Sequence, residues 1–173
     1  FEALSTVLDR ATRGIPADLL GPTGTTLLEL YLIVHAIEGL PSGTYYYRRQ
    51  ESSLEMLREG NFRGIAGRLG LGQELPAAAA VNIYSLCSLP DVLGHFGNRG
   101  YRAAQLEGGI IAGRMYLSAY AQGFGASGLT FFDDEVTDFF SPHAAGKSVM
   151  FLIALGYPDR RVLGLNPQIQ SEG

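Results

Sequence analysis

Three apolar runs constrain this chain most: Leu27 to Ile37 (LLELYLIVHAI), Ala77 to Leu86 (AAAAVNIYSL) and Ser148 to Leu155 (SVMFLIAL). The first is rich in β-branched and aromatic residues and nearly continuous in its apolarity. That pattern predicts a strand covered on both faces. The second and third read as buried core strands. All are too short for a membrane helix, which needs about 20 apolar residues, and Leu27 to Ile37 is further interrupted by Glu29 and His35.

Around these runs the sequence predicts a regular order of elements. Phe1 to Arg13 reads as a helix, with Leu4, Val7, Leu8 and Ala11 on one face and Gly14 as its stop. The loop Ile15 to Thr26 is punctuated by Pro16, Gly21, Pro22 and Gly24. After the turn Glu38 to Gly43, Thr44 to Arg49 (TYYYRR) should pair back as a hairpin, its polar end suggesting an exposed edge. Ser53 to Leu57 could add a third strand. Helices are expected at Asn61 to Leu69, Pro90 to Phe96 and Tyr101 to Gln122. A strand follows at Ala126 to Phe131, then a helix capped by Asp133 and running to Phe140. The last fifteen residues read as an extended tail. The fold class is α+β, one central sheet flanked by helices.

Composition narrows the function classes. With 173 residues the chain fits one domain, and 46% hydrophobic against 17% charged residues supplies a core. The net charge of −4 argues against coating nucleic acid or anionic membrane. One cysteine, Cys87, excludes an internal disulfide and a cysteine-based zinc cluster. No signal-peptide pattern is present, and the expected compartment is the cytoplasm. The chain starts at Phe1 without a methionine, so something upstream was removed or it is part of a longer polypeptide.

Chemistry-bearing motifs are sparse. His35, His95 and His143 lie in different elements. His35 reads as a core or sheet-face residue, the other two as surface residues. HExxH and CxxC spacings are absent, so no metal site is expected. The serines lack a G-x-S-x-G context. Asp133, Asp134, Glu135 and Asp138 read as a helix start favoured by the dipole. Gly70-Leu71-Gly72 and Gly123-Phe124-Gly125 sit outside any dinucleotide-binding frame. Tyr31, Tyr45, Tyr46 and Tyr47 suggest an amphipathic sheet edge. Gly108, Gly109 and Gly113 each cost the long helix about 1 kcal/mol against alanine. Close approach of a second helix in a homodimer would offset that cost.

The order of motifs reaches further. Residues Pro22 to Tyr47 (PTGTTLLELYLIVHAIEGLPSGTYYY) resemble a stretch of the SagB-type dehydrogenases in the nitroreductase family, where a Pro-Ser-Ala-Gly segment leads into an "ElY" strand and a "Gl.pG.Y.Y" hairpin. Gly100 to Gly109 (GYRAAQLEGG), Gly123 to Val136 (GFGASGLTFFDDEV) and Ile153 to Pro158 (IALGYP) resemble later segments of that family, in order along nearly the whole chain.

This resemblance implies a nitroreductase-like fold with a mixed or antiparallel sheet and a long central helix at a homodimer interface. It also implies FMN bound between the two chains. Pro22, Thr23 and Gly24 would line the flavin ring, a loop turn being the equal alternative. Leu129, Thr130 and Phe131 match the stretch whose backbone faces the ring, with Phe132 assigned to the core. Arg160 and Arg161 would hold the phosphate, a solvated tail being nearly equal. Tyr101 retains the tyrosine of a Lys-Tyr pair used for proton transfer; Gly100 stands where the lysine would be, and Arg99 could assist only electrostatically.

The family's Arg-x-Ser-x-Arg segment would precede residue 1. Residues 1–173 are therefore expected to be a single domain lacking its N-terminal segment. The implied activity is FMN-dependent oxidation or reduction of a small organic or peptide-derived heterocyclic substrate. The alternatives are a flavin-free scaffold partner in a biosynthetic complex and an oxidase domain from a modular peptide synthetase.

Overall fold

The computed structural model describes residues 1–17 and 26–158. It contains α1 (Glu2–Ala11), β1 (Glu29–Val34), β2 (Gly43–Arg48), β3 (Ser53–Glu59), α2 (Arg63–Leu69), α3 (Glu74–Ala78), β4 (Val81–Cys87), α4 (Leu89–Phe96), α5 (Arg99–Ala121), β5 (Gly125–Leu129), α6 (Asp133–Phe140) and β6 (Ser148–Gly156). The strands form one sheet in the order β3-β2-β1-β4-β6-β5, antiparallel throughout.

β1 is buried on both faces as its composition demands. Its side chains alternate with the two-residue period of a strand. Leu30, Leu32 and Val34 join a core with Leu4, Val7 and Leu8 of α1 and Ile111 and Met115 of α5. Tyr31 and Ile33 point the other way, into a core with Ala66 and Leu69 of α2 and Val136 and Phe140 of α6. The sheet is thus the middle layer of three.

Four local expectations are corrected. β2 is an inner strand, because β3 pairs along it and takes the sheet edge. The tyrosines accordingly do not mark an edge: Tyr31, Tyr45 and Tyr47 are buried. Ala77 and Ala78 close α3 rather than open β4, in keeping with alanine's high helix propensity. Asp133 is the first helical residue of α6, not its cap. Phe132 holds the cap position in extended geometry, with its N–H donated to the Leu69 carbonyl. The helix start still gathers Asp133, Asp134 and Glu135 in its first turn, and Glu135 pairs with Arg68 at 3.0 Å.

Candidate functional site

The long helix organises the candidate site. It can begin at Arg99 because Gly100 lets it cross α4 closely: a Cβ at Gly100 would lie 2.7 Å from the Val92 carbonyl oxygen. Gly108 faces inward, where a Cβ would meet Leu28 at 3.4 Å and Phe151 at 3.6 Å. Gly109 and Gly113 face outward, with nothing within 4 Å. Leu106, Leu117 and Tyr120 share that outer face and are 55%, 72% and 59% exposed. The spacing 106-109-113-117-120 therefore draws one apolar, glycine-notched stripe along α5.

Beneath α5, β6 links two of the expected site segments. Leu129 pairs with Leu152 of β6. Tyr101, half exposed, accepts a hydrogen bond from Gln105 Nε2 at 3.2 Å, and the same amide reaches Met150 Sδ at 3.6 Å. Gly128 donates its N–H to the Tyr116 hydroxyl of α5, and a Cβ at Gly128 would press on the Phe151 ring at 3.2 Å.

Leu129 ends the outermost strand, and Thr130 and Phe131 leave the ladder. Their backbone N–H groups have no hydrogen-bond acceptor among the described residues; the Thr130 hydroxyl accepts from Gln73 Nε2. Phe131 packs against the α6-side core, while Phe132, expected in the core, is 45% exposed because it turns outward as the chain enters α6. Pro22, Thr23, Gly24, Arg160, Arg161 and the expected tail lie outside the described residues.

Two polar clusters, the first of them buried, were missed in the sequence. Glu107 of α5 is 3% exposed, and its carboxylate accepts from the Leu27 N–H at 2.7 Å and from the Thr26 hydroxyl. Burial raises its pKa, and these hydrogen bonds partly oppose the rise. An acid between apolar and glycine neighbours in Leu106-Glu107-Gly108-Gly109 was the available signal.

The second cluster centres on Lys147, the chain's single lysine. Its ammonium donates to Glu29 Oε2 and to the Tyr31 hydroxyl, both at 2.7 Å. It lies 5.2 Å from the Tyr31 ring centre and 5.9 Å from that of Tyr46. The Tyr31 hydroxyl is also hydrogen-bonded with His143 Nδ1 at 2.9 Å. His143 is exposed as expected, yet its ring is held. Burial, then the charge of Glu29, pushes the Tyr31 phenol up; the same two causes carry Tyr46 to about 12.

His35 is buried as expected. Its Nε2 lies 3.1 Å from Asn82 Nδ2, which donates to the Pro76 carbonyl. Burial and the nearby Arg63 lower its pKa to about 4. The described residues hold no cluster of three or more metal-ligating side chains, and none of their helices is long and apolar enough to cross a membrane.

No family model matches the sequence. A protein of Methanocaldococcus jannaschii, provisionally named a nitroreductase, is 24% identical over 140 residues, covering 80% of this chain and 68% of its own. A structure from Anabaena variabilis, likewise provisionally named a nitroreductase, superposes with a TM-score of 0.80 at 29% identity over 91% of this chain. The present chain spans 34% of that protein's length. The Escherichia coli microcin synthetase complex McbBCD contains a chain with a TM-score of 0.73 at 17% identity, 64% of which is covered. The chain therefore has a nitroreductase-like α+β fold, and nitroreductases are the proteins that it is similar to in both sequence and structure.

Proposed function

We propose that the chain is an FMN-dependent oxidoreductase domain of the nitroreductase type, working as a cytoplasmic homodimer. The observation that carries this reading is the match to a nitroreductase-named structure over 91% of the chain at a TM-score of 0.80. The cofactor reading is supported by an FMN-dependent nitroreductase of Clostridium difficile with the same fold at a TM-score of 0.58. It is also supported by a local fit. The chain leaves β5 with the Thr130 and Phe131 N–H groups uncommitted, a donor pair suited to the polar edge of a flavin. When bound, FMN would supply the hydride chemistry that this chain's side chains lack.

The residues divide the remaining work. Thr130 and Phe131 would bind and orient the ring through backbone donors, with Leu129 shielding it on the strand side. Pro22, Thr23 and Gly24 would line the ring and Arg160 and Arg161 hold the phosphate. The α5 stripe would meet its copy in a second chain, where Gly109 and Gly113 allow close backbone approach and the apolar groups exclude water. Tyr101, exposed and oriented by Gln105, would hold a proton at its hydroxyl near the substrate.

The finer assignment is a SagB-like enzyme acting on a small or peptide-derived heterocycle. The four sequence segments favour it, as does the fold shared with a microcin synthetase chain. That likeness also motivates biosynthetic partners. The family's catalytic lysine is not restored elsewhere, since Lys147 is committed to Glu29 and Tyr31.

The test is a visible absorption spectrum after adding FMN and desalting, then after dithionite. A retained flavin spectrum that bleaches is expected, with Tyr101→Phe lowering turnover but not flavin retention. Folded protein that retains no FMN after incubation with an excess of the cofactor would overturn the proposal in favour of a flavin-free scaffold.

A further inference from the structure

A cleft of about 580 Å³ opens at the start of β1, between the last turn of α1 and the β2–β3 turn. Its apolar floor is Leu28, Leu30 and Ile111. Six charged side chains line it, and five are balanced by named partners. Asp9 meets Arg13 at 2.6 Å, Glu29 meets Lys147 at 2.7 Å, and Glu51 meets Arg48 at 3.8 Å. The sixth, Arg49, is half-buried and has neither an ion pair nor a hydrogen bond among the described residues. Glu107 feels its charge from beyond contact distance.

A guanidinium cannot shed its proton, and it offers five donors in a planar fork. Removed from part of its water and left unpaired, it favours an anion that restores those bonds. A carboxylate matches the fork two bonds at a time. The paired acids Asp9, Glu29 and Glu51 around the rim disfavour a second negative charge. Leu28, Leu30 and Ile111 are at most 4% exposed, so the floor offers a narrow apolar contact to a hydrocarbon or aromatic body, and the volume is that of a small-molecule site.

We propose that this cleft binds an amphiphilic monocarboxylate, its carboxylate forked on Arg49 and its apolar body resting on Leu28, Leu30 and Ile111. Among the described residues, none of those assigned above to FMN lines it.

The experiment titrates 4-phenylbutyrate and its uncharged counterpart, 4-phenylbutyramide, into the protein by calorimetry, with and without FMN. The acid should bind at least tenfold more tightly than the amide. Arg49→Gln should bring the acid down to the level of the amide, and Arg49→Lys should fall between. The Gln variant should retain FMN and its circular dichroism unchanged. Equal binding of acid and amide, no binding of either, or an unaltered Arg49→Gln would overturn the proposal. Loss of FMN retention in Arg49→Gln would also overturn it, by assigning the cation to the flavin.

Discussion

Replacing Lys147 by methionine should destabilise the protein by about 2 kcal/mol. Methionine keeps the apolar stem between Tyr31 and Tyr46 but removes the ammonium. Three interactions go with it: the bond to Glu29, the bond to Tyr31, and the cation's position over the two rings. A hydrogen bond to a charged group contributes about 1.5–3 kcal/mol. The Lys147 side chain is 17% exposed and that of Glu29 is 35% exposed, so water recovers part of the loss at Glu29. The Tyr31 hydroxyl keeps His143, which limits the cost on that side. These offsets hold the sum near the lower end, and a chain of this size then loses about 4–8 °C in melting temperature.

Urea unfolding of K147M, E29Q and the double variant would measure the effect and the coupling between the two side chains. The double variant should be less damaged than the sum of the singles by at least about 0.5 kcal/mol. A K147M protein within about 0.5 kcal/mol of the parent, with additive singles, would refute the assignment of this cluster as a pin joining β1, β2 and the segment before β6.

Gly109→Ala and Gly113→Ala separate the helix from its interface. Neither Cβ meets anything in the chain, so a monomer should gain about 1 kcal/mol of helix stability from each. A dimer packed on the stripe should dissociate at higher concentration instead, and sedimentation velocity against concentration decides. His35 gives a pH dependence. Its native pKa is lowered to about 4 from 6.5, so the unfolded chain binds the proton more readily. The stability from keeping it neutral is present above pH 6.5 and lost as the pH falls toward 4, with a slope of at most about 1.4 kcal/mol per pH unit. Removing the imidazole by His35→Gln should flatten that part of a chemical-denaturation series. Burial, then Glu107 and Glu29, pushes the Cys87 thiol up to about 11. It should resist Ellman's reagent at pH 8 in the folded protein and react at once in urea.

α1 was legible from its apolar period, and β1 and β6 from the near-continuous apolarity that goes with cover on both faces. α5, whose apolar period is weak, was legible from its length and from the glycines that end it, and all four fall within a few residues of where the sequence puts them. The errors sit where a local signal competes with a tertiary one. TYYYRR looks like an edge until β3 is known to cover it, and an alanine run before a strand is helical by propensity. Glu107 and Lys147 could not be read as site residues because their partners, Thr26 and Leu27 or Glu29 and Tyr31, are more than 75 positions away. Their isolation in composition, an acid in a glycine stretch and a single lysine, was the trace they left. The stripe on α5 was announced by its glycines, since glycine in a helix interior needs a compensating reason.

The Glu107 tie bears on the order in which the molecule assembles. The β1–β2–β3 meander closes loops of a few residues, whereas Glu107 reaches back 80 positions to Leu27. Short loops close first because their entropy cost is lower. The lead-in to β1 is therefore locked only when α5 docks, late in folding, and it is the first part of that strand released when the helix lifts. A Glu107→Gln protein should unfold faster while refolding at nearly the parent rate. The segment entering β1 and the glycine-striped helix thus share one latch.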